Sequence, residues 1–219
     1  MQDRNGYGND AFCKALLRGA AAADSSPSAR TVTPTSTNVN VTPTGSGLPA
    51  AFTACYAPSA VAGNMLCADS DDFWFSGDFT VDLWVKPPPS GNFTVIGQMG
   101  AWMIGSDTAN YTVWLNSLAA DGAWDIATHG TGVPVGYGVW QHLALVGFGN
   151  TYALAKNGLW ESTPVTSSNR LKNATLGLNV GCSLAYTFPT SGQYCNVRVS
   201  KGIARWTPGK SFTPPQRPF

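Results

Sequence analysis

Five sets of residues in this 219-residue chain have side chains that could do chemistry. The carboxylates come first, because cleaving a glycosidic bond takes two of them poised across it. Glu161 is the only glutamate, and Asp82 and Asp125 each stand alone along their own apolar-polar alternation. That pattern argues against a glycosidase. His129 and His142 are the only histidines, which excludes a three-histidine zinc site, and His142 in "WQHLAL" reads as a packed strand residue. No GxSxG nucleophile turn is present, and the glycine runs match neither a phosphate loop nor a dinucleotide fingerprint. The third set is "ADSDD", in which Asp69, Asp71 and Asp72 cluster as hard oxygen donors for calcium would. It lacks a distal glutamate, and a solvated turn or a cap at the start of the next element is the favoured reading; no cofactor is required, with Ca2+ as the one option. The fourth set is aromatic. In "NYTVWLN" Trp114 alternates onto the face of Thr112 and Asn116, and in "FTVDLWVK" Trp84 shares a face with Asp82. Tryptophan amid hydroxyl and amide groups suits stacking against a sugar. Finally Lys201, Arg205, Lys210 and Arg217 alternate with Trp206 and Phe212, but Val197 and Val199 mark that stretch as a strand, so nucleic-acid binding is not expected.

The elements that position these residues follow from composition and periodicity. Hydrophobic residues make up 43% and charged ones 11%, enough apolar surface for a core under a polar, uncharged exterior. Formal net charge is +1, so no overall field points to a polyanion. Beyond Glu161 every charged side chain is basic, a bias that adjacent strands of one sheet can compensate internally or that a contact between subunits can use. Alternation dominates: "DFTVDLWVKP" places Phe79, Val81, Leu83 and Val85 on one face. "NFTVIGQ", "VWQHLALV", "TYALAKNG" and "QYCNVRVS" repeat the pattern between Gly, Pro, Asn and Asp clusters, and Asn157-Gly158 suits a tight hairpin turn. The Ser-, Thr- and Pro-rich stretch from Asp24 to Pro49 still alternates in "ARTVT" and "TNVNVT", as edge strands do. The spacing predicts an all-β, antiparallel two-sheet sandwich, with an arm at 1–10, a domain at 11–207 and a tail at 208–219 packed on it.

Cys13, Cys55, Cys67, Cys182 and Cys195 lack CxxC spacing and are odd in number, so they read mostly as buried thiols. Cys55 with Cys67, or Cys182 with Cys195, could face each other across a hairpin. The polar start "MQDRNGYGND" is no signal peptide, and "ALLRGAAAA" is too short to insert in a membrane. Without a secretion signal, the N-x-Thr sequons at Asn40, Asn92, Asn110 and Asn173 are expected to carry no glycan.

Five segments in order carry a resemblance: the run from Asp24 to Thr33 that closes on "SARTVT", then "DSDDFWFSGDFTVDLWVKP", "YGVWQHLALV", "ALAKNGL" and "VRVSKGIARWTPGKSFTPP". Together they resemble the concanavalin A-like, laminin-G-type jelly-roll domains found in bacteriophage structural proteins and adhesins. The resemblance implies a concanavalin A-like lectin/glucanase sandwich with its terminal strands adjacent. It implies a non-enzymatic virion protein on the particle surface, a capsid decoration or head-appendage subunit contacting other virion proteins and copies of itself. The alternative is a carbohydrate-binding receptor module recognising a host-surface glycan through Trp114, Trp84, Asp82, Thr112 and Asn116. Where relatives carry an acidic pair before the closing strand, this chain has Tyr194-Cys195-Asn196.

Overall fold

Alternation at Phe79, Val81, Leu83 and Val85 is satisfied on both sides of the strand that bears it. In register, these residues lie opposite Gly147, Leu145, Leu143 and Gln141 of one neighbour. The computed structural model describes residues 9–19, 23–34, 39–58, 64–107, 109–120, 123–181 and 192–219. Their strands are numbered in chain order. Sheet A holds β1 (Cys13–Leu17), β3 (Val39–Pro43), β4 (Ala54–Pro58), β6 (Phe79–Lys86), β11 (Gln141–Phe148), β12 (Thr151–Lys156), β13 (Leu159–Trp160), β14 (Val165–Thr166) and β16 (Gln193–Lys201). Sheet B holds β2 (Val32–Pro34), β5 (Met65–Cys67), β7 (Thr94–Gln98), β8 (Trp102–Asp107), β9 (Asn110–Leu115), β10 (Ala127–Pro134) and β15 (Leu178–Val180).

Sheet A runs β13-β12-β11-β6-β16-β4-β3, with β1 also on β16 and β14 on β12; sheet B runs β10-β9-β8-β7-β15-β5-β2. Pairing is antiparallel throughout, and the first strand lies against the last, giving the expected jelly-roll sandwich. The proline-flanked strands β2 and β3 occupy the edges, where a missing N–H costs no ladder bond. Between the sheets, Phe75 stacks on Phe79 at 4.2 Å and Trp102 donates its indole N–H to the Phe73 carbonyl. Asp24 organises the entry loop: one carboxylate accepts from the Leu16, Ser26 and Arg30 amides and from the Ser26 hydroxyl.

One of the two cysteine pairings is ruled out by the topology, and the other falls outside the described residues. Cys55 belongs to sheet A and Cys67 to sheet B, so no hairpin joins them, and Cys182 lies outside the described residues. Cys13, Cys55, Cys67 and Cys195 are free and buried. Burial pushes the Cys13, Cys67 and Cys195 thiols up to about 12, which removes their nucleophilicity at neutral pH. Of the arm expected over 1–10, all but Asn9 and Asp10 likewise fall outside the described residues.

Sheet A is covered on its outer face as well. Phe52 and Trp140 pack over Trp84, Cys55 and Cys195. Trp206 and Phe212 stack at 4.2 Å, and Trp206 packs on Ala144, Val146 and Ala155. The Phe219 ring packs with Cys13 and Leu16 and lies 3.5 Å from the Arg198 guanidinium carbon. Gly158 lets the chain's last segment close. Its φ is +81°, and a Cβ there would stand 1.8 Å from the Phe212 carbonyl oxygen. Gly158→Ala therefore has to move the tail and hold a left-handed alanine, costing about 2 kcal/mol or more. Melting is expected to fall by roughly 4–8 °C, with faster tryptic cleavage after Lys210; an unchanged melt and digest would contradict this account.

Candidate functional site

The carboxylate, histidine and tryptophan of sheet A do not form a site; they form a sealed network. A bulge at Asn196, which has a left-handed φ of 53°, shifts the β16 register so that Arg198 comes opposite Asp82. Arg198 donates to Asp82 through Nε at 2.8 Å and Nη2 at 3.2 Å, and His142 Nε2 stands 3.3 Å from the same carboxylate. Asp82, His142 and Arg198 are each fully buried. Burial alone would raise the Asp82 carboxyl, but the Arg198 charge and the His142 contact hold it below the ordinary carboxylate range. Burial pushes His142 down, so it stays neutral. The Trp84 indole N–H and His142 Nδ1 have no partner among the described residues. Trp84 is only 7% exposed.

This corrects the expected grouping. Asp82 and Trp84 lie on the outer face of sheet A, whereas Trp114, Thr112 and Asn116 belong to the other sheet, so the five residues do not converge. Asn116 is not free to bind a ligand either. Its amide donates to the Gly100 and Ala120 carbonyls, both at 2.8 Å, and its oxygen accepts from the Leu118 amide. The calcium cluster also disperses. Asp69 accepts from Gln98, Asp71 from Asn173, and Asp72 pairs with Arg30 and accepts from Ser28. Ser70 caps the short 3-10 turn at Asp71–Phe73. Three carboxylates, each turned to different partners, make no cage, and no group of metal ligands occurs among the described residues.

Trp114 is the one of the five whose side chain stays half-exposed. On β9 it lies opposite Met103 of β8 and Thr128 of β10, with Thr112 and Gly105 one step along the same outer face. The inward residues Tyr111, Val113 and Leu115 anchor the strand in the core. A Cβ on Gly105 would stand 2.6 Å from the Phe93 carbonyl oxygen and 3.0 Å from Trp114 Cζ3, so the neighbouring strand requires glycine there and the indole leans over it. Gly97, Gly105 and Gly130 all occupy outward positions around it, and Thr128 is exposed beside it. The result is one partly exposed aromatic plate with buried Met103 on one side, which also covers Gly97, and exposed Thr128 on the other.

Sequence reasoning missed Trp124, in the connection from β9 to β10. It is half-exposed and has a φ of 49°, a backbone state rare for so bulky a side chain. Asp125 next to it accepts from the Ser117 hydroxyl and amide. The signal was a tryptophan beside turn residues in "DGAWD". Also missed was the pair His129–Glu161, with His129 Nε2 2.5 Å from Glu161 Oε2, which ties the β10 edge of sheet B to sheet A. Burial raises the Glu161 carboxyl despite the His129 contact.

Two packed antiparallel sheets, the outer face of one sealed by the chain's own tail, define a β-sandwich of the lectin type. The chain belongs to the concanavalin A-like lectin/glucanases superfamily, whose pattern matches residues 62–204. No curated protein sequence matches the chain significantly. Among solved structures it is similar to domain 4 of AbnA, a GH43 extracellular arabinanase from Geobacillus stearothermophilus, in complex with arabinotriose. That likeness has a TM-score of 0.64 at 17% identity, covering 88% of this chain and 93% of the other. It is also similar to the ligand binding domain of botulinum neurotoxin serotype D in complex with N-acetylneuraminic acid, with a TM-score of 0.63, 14% identity, and 92% and 50% coverage. The binding domain of Paraclostridial Mosquitocidal Protein 1 follows at 0.62 and 10%, covering 88% of this chain and 48% of that one. The chain spans about half the length of the latter two. At these identities the likeness is one of fold.

The sealed network makes stability depend on acid. His142 resists protonation in the folded chain, so its contribution is complete above its ordinary value of 6.5 and is lost as pH falls below it. Asp82, held below 3.8, adds a second loss only at lower pH. Glu161 runs the other way, since its raised carboxyl costs stability as pH rises through 4.5 and above. Melting temperature is expected to fall from pH 7 to pH 5, and to fall less in His142→Gln. Equal pH slopes in thermal melts of the two proteins would refute the assignment.

Proposed function

We propose that this chain is a non-catalytic carbohydrate-binding module that holds its ligand on the outer face of sheet B, against Trp114. The observation that carries the reading is the indole itself, half-buried between Met103 and the exposed Thr128 and leaning over Gly105. An aromatic plate meets the C–H face of a sugar ring, while threonine hydroxyls such as Thr128 serve its hydroxyls. The solved structures of similar fold, one holding arabinotriose and one N-acetylneuraminic acid, support a glycan as the ligand class.

Catalysis is disfavoured by the carboxylates. Asp82 is spent on Arg198 beneath the tail, Glu161 on His129, and Asp125 on Ser117. None of these stands opposite a second carboxylate across an open face, as glycoside hydrolysis requires. Placement on a bacteriophage particle, as a decoration or head-appendage subunit reaching a host-surface glycan, is the finer part of the proposal and rests on the segment resemblance. No helix among the described residues is long and apolar enough to cross a membrane.

Trp114→Ala is expected to weaken glycan binding by about 30-fold or more, as removal of a central aromatic anchor does. Phe148→Ala, at an exposed turn of sheet A, is expected to leave it unchanged. Calorimetric titration checks both, and equal affinities in wild type and Trp114→Ala would end this reading. Release of reducing sugar from a bound polysaccharide would end the non-catalytic part, and failure to co-purify with assembled particles the virion part.

A further inference from the structure

We infer that the ligand of this face is a neutral glycan, and that sialate- or uronate-bearing sugars are rejected; this rests on the proposed binding role of Trp114. The seven strands of sheet B read VTP, MLC, TVIGQ, WMIGSD, NYTVWL, ATHGTGVP and LNV, without one lysine or arginine. The chain as a whole has no lysine or arginine between Lys86 and Lys156, a stretch that includes β7 to β10 and every connection between them. The charged side chains it does contain besides histidine are acidic: Asp107, Asp121 and Asp125. Sheet A, by contrast, carries Lys14, Lys86, Lys156, Arg198 and Lys201 in its strands.

Two cations from elsewhere reach the ends of these strands, and both are engaged. Lys172 Nζ donates to the Ala119 carbonyl at 2.6 Å, in the loop beyond Asn116, and Lys156 Nζ donates to the Pro134 carbonyl at 2.6 Å, where β10 ends. Pro134 pairs with Asn110, four residues from Trp114 and roughly 13 Å away along the strand. His129, next to Thr128, alternates to the opposite face and is held by Glu161. A sugar carboxylate seated on Trp114 would lose water and find hydroxyls and backbone, with no guanidinium or ammonium among the described residues to pair with it. A neutral ring exchanges water for those hydroxyls at far smaller cost. The chemistry selects hexoses, pentoses and their neutral oligomers, recognised by stacking and hydroxyl hydrogen bonds with little dependence on salt.

The test is an array that pairs neutral oligosaccharides with the same scaffolds capped by sialate or uronate. It is probed with the whole chain at about 50 and about 500 mM NaCl, a range over which exposed charge pairs are strongly screened. The neutral members are expected to bind at least about tenfold tighter than their capped partners, with little change across that salt range. Binding is expected to be lost in Trp114→Ala; circular dichroism confirms that the variant is folded. Thr128→Lys, which sets a cation opposite Trp114, is expected to bring capped members up and make their binding salt-sensitive. Preference for capped members that disappears in Trp114→Ala would overturn the neutral class and leave the binding face standing. Binding that persists in folded Trp114→Ala, or no binding by the wild type, would overturn the face and this inference with it.

Discussion

The bidentate contact between Asp82 and Arg198 is the constraint on which the rest of sheet A depends. Two full charges in a dry place are tolerable only as a pair, and a pair so placed forces everything around it to exclude water. β16 bulges at Asn196 to bring Arg198 into register, and the Asn196 side chain then accepts from the Phe219 amide, so the same irregularity seats the chain's last residue. Phe219 covers the guanidinium, and Trp206 and Phe212 set their edges toward His142. Arg205, anchored to Ser200 and Asp10, draws the N-terminal end of the chain to the same place.

That closure divides the molecule into two unlike faces. One side of the sandwich is a second core, apolar and aromatic around a charged centre, which leaves no room for a ligand. On the other side one indole lies between Met103 and Thr128, near Thr112 and the glycines at 105 and 130, and of these Trp114, Thr128 and Gly130 reach the surface. A surface of that kind has shape without charge. It suits a ligand that brings its own hydroxyls and a flat apolar face, which is what a neutral sugar is.

Much of the fold could be read from the residues. The period-two alternation named the inward face of β6 correctly, the Asn157-Gly158 turn falls between β12 and β13, and the proline-flanked segments became the two sheet edges. Inward and outward assignments held because an error of one residue would bury polar side chains everywhere at once. The site was only partly legible. Alternation says which side of a strand a residue faces, but it cannot say whether something else comes to cover that side. Trp84 and Trp114 look alike in sequence, each a tryptophan among polar neighbours on a strand's outward face, yet one lies under Phe52 and Trp140 and the other stays open.

Local sequence by itself thus determined the all-β sandwich, the apolar face of each strand, the absence of a three-histidine metal site, and the basic, aromatic character of the closing segment. Those properties follow from nearest neighbours along the chain: period, turn chemistry and ligand counting. Only the tertiary structure decided that Asp82 pairs with Arg198, 116 residues away, that Asp69, Asp71 and Asp72 each part toward different partners, and that the tail seals one sheet rather than binding outward. Contacts between distant residues are chosen by what the whole fold brings together, and a bulge of one residue at Asn196 is enough to decide which side chain meets which.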